Sequence, residues 1–343
     1  MKNIRVKDHG SVLIMALWAL GMLTVFTIQI GMTLQDKIAF LSRADHKDIL
    51  RMAARAGIYK AMATIKTESR QNKDENPLQR ALNLYYNPSI FRDLAVDRAD
   101  VAVMYNDSDA SDKAETVFYG VTDEERRLNL NTSDRQSIQK LVALTAGVSD
   151  EEAGKIAGHI VDWRQYGETE IEGFYSDDLY ENLQFPYKEK KALFETLDEL
   201  RLVQGINEKI YNSILDYVTV YGGPALNVNT APWQVLYALG FTEEQAKAID
   251  RIRRGVDGVY GTLDDFYFPD LNVPVGKLAQ ALGIKDKELD ELNALVSRLK
   301  LTTDQPRFFR VQSRARFSSR EENKSITCVF NANDDKIVYW RER

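Results

Sequence analysis

Three hydrophobic patterns follow one another along this chain. From Ser11 to Gln35 there is no charged residue, and the densest apolar part is Val12 to Ile28. As a helix, that uncharged stretch spans roughly 37 Å, enough to cross a bilayer core of about 30 Å. From Asp36 to Lys66 the pattern changes. Apolar residues recur at Ile38, Leu41, Ile49, Met52, Ala53, Ala56, Tyr59 and Ala63, close to helical spacing, with no proline and Gly57 as the one interior glycine. One helix from about Ser11 to Lys66 is predicted, roughly 84 Å long. Its first part is apolar all round and its second is an amphipathic stem, a shape suited to lateral packing against similar rods.

Past Thr67 the chain turns polar, with a loop over Arg70–Pro77 and a short helix at Leu78–Tyr86. Strand patterns come next at Val101–Tyr105 and Thr116–Val121, around a turn-rich segment, Asn106–Lys113. At the other end, Phe309, Val311, Ser313, Ala315 and Phe317 alternate with Arg310, Gln312, Arg314 and Arg316. That is a half-buried strand with one basic face. Ser325–Phe330 and Lys336–Trp340 flank an Asn333–Asp335 turn and read as a hairpin. Strands at both ends with none between predict one small sheet interrupted by an insertion.

The middle, Leu128 to Thr303, reads as helical hairpins with internal repeats. Leu128-Asn-Leu-Asn-Thr132 recurs as Leu226-Asn-Val-Asn-Thr230. Thr132 or Ser133, and then Thr230, are the expected N-caps, with Pro232 in the first turn. Each following helix ends at a glycine, an apolar residue and a new capping box: Gly147-Val148-Ser149 with Glu152, and Gly240-Phe241-Thr242 with Gln245. Gly205-Ile206-Asn207 and Gly283-Ile284-Lys285 repeat the theme less fully. The fold class is α+β: a long N-terminal helix, a small antiparallel sheet and a large inserted all-α domain. Its expected divisions are a leader over 1–10, the membrane and stem helix over 11–66, the first part of the head over 67–127, the helical insert over 128–303 and the closing strands over 304–343.

Composition changes this picture only by exclusion. A 44% hydrophobic and 28% charged chain of 343 residues is ordinary for a folded protein. Cys328 is the single cysteine, which rules out an internal disulfide and a cysteine-rich zinc site. The net charge of −6 gives no general reason to expect nucleic acid.

Lys2, Arg5 and Lys7 precede the apolar stretch, an order that keeps the leader cytoplasmic and sends the rest outward. A secretory signal would need a small-residue cleavage site after the stretch, and none is evident between Gly31 and Ser42. A plain signal anchor fits the hydropathy equally well. A third reading rests on the leader itself. A short basic segment ending in Gly10 and running directly into an apolar helix resembles a prepilin peptidase site, with cleavage between Gly10 and Ser11 and a methylated new N-terminus. Pilins and pseudopilins usually carry glutamate at the fifth mature position; Met15 stands there. Such a departure is typical of general secretion pathway protein K. A carboxylate in an apolar helix is costly without a partner, and a subunit placed first has none above it. The chain resembles that family also in LNLNT and LNVNTAP, Ile160–Trp163, Phe185–Tyr187, Glu199–Val203 and Phe308–Val311, in order. The resemblance implies a non-enzymatic minor pseudopilin of type II secretion, held in the bacterial inner membrane with its head in the periplasm. It would sit at the pseudopilus tip with two other minor pseudopilins and prime assembly and protein export.

The insert offers a competing chemistry. Helix–Gly–helix turns can bind DNA phosphates, so a membrane-anchored DNA-binding or DNA-uptake minor pilin is the alternative. From Leu128 to Thr303, however, 18 Lys and Arg face 28 Asp and Glu, a balance that repels a polyanion. No cofactor is required, and calcium is the one candidate. Asp257, Asp264 and Asp265 share a Gly/Asp loop, with Asp177 and Asp178, beside Asp162, as a second position. The resemblance implies calcium in the inserted domain near that second position. Solvated surface acids are the plain alternative for both. No nucleophile motif, phosphate loop or His-x-x-x-His pair accompanies the three histidines.

Overall fold

The computed structural model describes residues 10–70, 76–107, 116–164, 180–182, 184–317 and 322–343. Helix α1 (Gly10–Arg70) is unbroken over 61 residues, roughly 90 Å. Helices α2 (Pro77–Tyr85) and α3 (Pro88–Phe91) follow, each opened by an asparagine N-cap and a proline in the first turn. Strands β1 (Leu94–Val96), β2 (Ala99–Asp107), β3 (Thr116–Tyr119) and β4 (Thr122–Asp123) come next. After a 3-10 turn at Glu124–Arg126 the chain runs through β5 (Leu128–Asn129), α4 (Arg135–Ala146), α5 (Asp150–Arg164), a 3-10 segment at Leu197–Leu202, α6 (Glu208–Ile214) and β6 (Val218–Thr219). It then repeats the order with β7 (Leu226–Asn227), α7 (Trp233–Leu239), α8 (Glu243–Arg253), α9 (Asn272–Leu282), α10 (Asp286–Arg298) and β8 (Leu301–Thr302). Strands β9 (Phe308–Phe317), β10 (Asn323–Asn331) and β11 (Lys336–Glu342) close the fold.

The main sheet is antiparallel in the order β1-β2-β9-β10-β11, with β3 extending β2 and β4 extending β9. The alternation read in β9 decides its placement. Phe309, Val311, Ser313, Ala315 and Phe317 are buried, while Gln312, Arg314 and Arg316 are exposed. The buried face receives the upper half of α1, which contributes Leu50, Ala54, Ile58, Ala61 and Ile65 at three- and four-residue spacing. Gly57 sits where helix and sheet come closest. A Cβ there would lie 2.2 Å from Ser313 Oγ and 2.7 Å from Val101 Cγ1. Cys328 is buried in the same core, and that burial pushes its thiol up to about 12.

The helical insert has a second, separate core, from Leu128 and Leu130 to Leu292 and Val296. The repeat seen in sequence is a repeat of structure, and it corrects two expectations. Strands do occur between the ends of the chain. The opening residues of each LN-x-N-T motif pair in parallel with a closing strand, Leu128 with Val218 and Leu226 with Leu301. The asparagines explain the motif. Asn129 Oδ1 accepts from Asn131 N at 2.9 Å, and Asn227 Oδ1 accepts from Asn229 N at 3.0 Å. The second asparagine of each pair clamps a distant phenylalanine backbone from both sides. Asn131 accepts from Phe194 N and donates to Phe194 O, and Asn229 does the same for Phe268. Only a carboxamide, donor and acceptor at once, satisfies both groups of a strand-less segment.

The expected N-caps at Thr132 or Ser133 and at Thr230 are also replaced. Asp134 caps α4 by accepting from Ser137 N, and Pro232 precedes α7. Ser133 Oγ bonds Asn129 O and Thr230 Oγ1 bonds Asp123, because the motif's own turn claims them first. The Thr242–Gln245 capping box forms in both directions, and Ser149 Oγ accepts from Glu152 N.

Candidate functional site: the apolar helix, the ionic seam and the acidic loop

The lower part of α1, Val12–Lys37, is 26 residues long with a mean hydropathy of 2.0, and none of it is buried among the described residues. Val12, Leu13, Trp18, Phe26 and Ile30 are all more than half exposed, as is Met15. A single helix with exposed apolar side chains all round is long and apolar enough to cross a bilayer. Gly10 and Ser11 form its first turn.

Between the two cores lies a seam built from three consecutive acids, Asp123, Glu124 and Glu125, each turned to a different element. Glu124 is fully buried. It accepts from Arg310 on β9 twice, from Nε at 2.7 Å and from Nη2 at 2.6 Å, from Arg127 at 2.7 Å and from Thr219 Oγ1 at 2.7 Å. Burial raises its pKa, but the Arg310 and Arg127 guanidiniums outweigh burial and hold the carboxyl below the usual range. Glu125 accepts from Arg307 N and its side chain. Asp123 reaches the second repeat, accepting from Asn227 Nδ2 at 2.8 Å and Thr230 Oγ1 at 2.6 Å. Burial pushes Asp123 up to about 7 against those hydrogen bonds. Farther along, Arg341 on β11 meets Asp198, and Tyr339 packs on Tyr221. From sequence alone, none of the three acids is assigned a role. The signal was their position, separated only by Arg126 and Arg127 from the LNLNT segment.

The acidic loop follows α8. Gly255, Gly258 and Gly261 adopt positive φ. Asp264 Oδ2 accepts from Val256 N and Asp257 N, and its Oδ1 accepts from Thr262 Oγ1. The Thr262 hydroxyl and those amides hold Asp264 down at about 2. Asp257 Oδ1 accepts from Val259 N. Asp265 Oδ2 accepts from Gly261 N, while its Oδ1 is buried without a hydrogen bond. Burial first, then the Asp257 and Asp264 carboxylates, push Asp265 up to about 6. Asp264 is engaged by its own loop, whereas Asp265 and Asp257 each accept one backbone amide. Among the described residues no three such side chains converge on one point. Asp177 and Asp178 lie outside the described residues, and Asp162 is buried in α5.

The turns that suggested DNA binding carry acids where a phosphate would have to sit. Asp150, Glu151 and Glu152 open α5, Glu243 and Glu244 open α8, and Asp286 and Glu288 open α10. Their charge opposes an anion at each helix N-terminus.

A membrane-length helix continues as a stem beneath an antiparallel sheet, which carries an inserted helical pair of repeats. Residues 121–223 match the family model described as Type II secretion system (T2SS), protein K. A curated relative, the type II secretion system protein K of Pectobacterium carotovorum subsp. carotovorum, is 24% identical over 134 residues. That match covers 39% of this chain and spans 40% of the relative's length. In structure, the chain is similar to one chain of the GspK-GspI-GspJ complex from the enterotoxigenic Escherichia coli type 2 secretion system. The TM-score is 0.61 at 14% identity, covering 88% of this chain and 98% of that one. The likeness in sequence lies in residues 121–223, and the likeness in fold spans 88% of the chain.

Proposed function

We propose that this chain is the K-type minor pseudopilin of a type II secretion system, a structural subunit and not an enzyme. It would be anchored in the inner membrane by Val12–Lys37, with residues 128–303 as its inserted domain in the periplasm. Prepilin peptidase would cleave between Gly10 and Ser11. Two other minor pseudopilins, of the I and J types, would join it in a tip complex that initiates pseudopilus assembly and protein export. The observation that carries this reading is α1. Its lower half is exposed and apolar, and its upper half is fixed beneath the sheet. Such a rod needs lipid or sister rods around it. A large insert stacked on the sheet also suits the end of a fibre better than its shaft.

Mass spectrometry of the mature protein tests the processing, with a methylated Ser11 as the expected N-terminus. An intact Met1, together with unchanged export in a Gly10→Ala strain, would overturn it. Calcium at the acidic loop is a second, separate proposal, favoured by the bonding of Asp265. Titration of the purified chain with calcium should raise its unfolding temperature, and Asp265→Asn should abolish the rise. Equal shifts in both proteins would place the ion elsewhere.

A further inference from the structure

Outside the membrane-length helix, the two most exposed large apolar side chains among the described residues belong to the acidic loop. Val256 is 98% exposed and Leu263 is 82% exposed, with Val259 at 55% beside them. This loop is not loose. The Asp264 carboxylate staples its neck through Val256 N at 2.7 Å. A Cβ on Gly255 would lie 2.4 Å from Asp264 O, so the chain on either side of the neck is in contact and Val256 and Leu263 flank it. Its one aromatic residue turns inward. Tyr260 stacks parallel on Tyr86 of the head, 6.1 Å between centroids, and its hydroxyl donates to Asp250. The fold therefore spends its polar groups on holding the loop and leaves the aliphatic ones in water. Exposed apolar groups on a preformed scaffold are characteristic of recognition surfaces, since little ordering entropy remains to be lost on binding.

Charge and position identify the kind of partner. No lysine or arginine occurs between Gly255 and Asp265, while Asp257 and Asp264 border the tip. Arg253 and Arg254, just before it, are both drawn inward to Asp250. An acidic rim is repelled by an anionic lipid surface. The loop is also far from one. It rests on Tyr86, next to α2, whose Asn83 bonds Glu68 of α1. Glu68 stands roughly 45 Å along the helix from Lys37, where the span ends. We propose that the tip formed by Val256, Val259 and Leu263 is a docking element for a protein that offers an apolar pocket rimmed by lysine or arginine.

The test uses full-length protein in its own bacterium, with benzoylphenylalanine replacing Leu263 and light-induced cross-linking to neighbours. One protein adduct is expected. Val256→Ser should lower its yield about fivefold or more, the effect of a central anchor. Asp257→Lys should lower it severalfold by reversing the rim charge. Phe185→Ser, an exposed apolar residue elsewhere in the insert, should leave it unchanged, and the thermal midpoints of the Val256→Ser and Phe185→Ser variants should stay that of the parent because those two side chains are solvated. No adduct, an adduct with lipid alone, an adduct insensitive to Val256→Ser, or one strengthened by Asp257→Lys would each overturn the proposal. Co-purification of I- and J-type pseudopilins is read in the same cells. Its loss with the adduct intact would sink the tip-complex reading and leave the docking element standing.

Discussion

The two cores of this molecule and the seam between them are built from opposite materials. Beneath the sheet, Ile58, Ile65, Phe309 and Phe330 pack with no exposed surface, and in the insert Leu141, Ile160, Ile214 and Leu236 do nearly the same. Where these bodies meet, the contact is Glu124 with Arg310 and Arg127, Glu125 with Arg307, and Asp198 with Arg341. Apolar burial is non-directional and tolerates sliding. A buried ion pair gains little net stability, yet it is costly to break, because each partner is then left charged in a dry site. The cores accordingly make each body stable, and the seam fixes how the insert is set upon the sheet.

The sharpest way to break that contrast is Glu124→Ala. Removing it strands Arg310 and Arg127 in the interior and should cost about 3–5 kcal/mol in urea unfolding of the detergent-solubilised protein. If the seam sets orientation, the double change with Arg310→Met should recover much of that loss while the docking of the insert, read by amide exchange at Thr219, stays loosened. Core truncations come next. Ile58→Ala and Leu141→Ala should each cost about 2–5 kcal/mol. Amide exchange should accelerate first in the mutated body, and equal acceleration in both would show that the cores are not separate.

The pH dependence of Asp123 is a smaller effect. Its pKa is raised in the folded state to about 7, so its contribution is present below the unfolded value near 4 and is lost as pH rises through about 7. Unfolding free energy should fall across that window on the order of a few kcal/mol. Asp123→Asn should flatten the fall, leaving the weaker contribution of the same sign from Asp265, whose folded value is about 6. Least of all, Arg341→Ala at the half-exposed edge of the seam should change stability by less than about 1 kcal/mol. A loss as large as that of Glu124 would mean that the seam's strength is spread along its length.

What could be read in advance was what repeats at a fixed period. The apolar run of α1, the alternation of β9 and the glycine-ended helices of the insert each carry enough residues for a period to show. The four strands β5 to β8 have two residues apiece and no period at all. They exist because each LN-x-N-T segment meets a partner far along the chain. The capping assignments at Thr132, Ser133 and Thr230 failed for a related reason: several side chains near a helix start can accept the same amide, and the winner depends on what else is within reach. The acidic loop was legible as a loop and as a cluster of acids. That Asp264 would be engaged by its own amides, and that Val256 and Leu263 would point outward, was not.

By itself, the order of residues determined that this protein has a long rod, apolar below and amphipathic above, a half-buried sheet with one basic face, and a duplicated helical insert between its strands. Those features follow from local spacing, because one turn of helix or one pleat brings the relevant side chains together. Only the tertiary structure decided that Asp123, Glu124 and Glu125 would be buried, each against a different partner. Glu124 and Arg310 are separated by 186 residues, and no local rule tells a carboxylate which distant guanidinium will share its dry site.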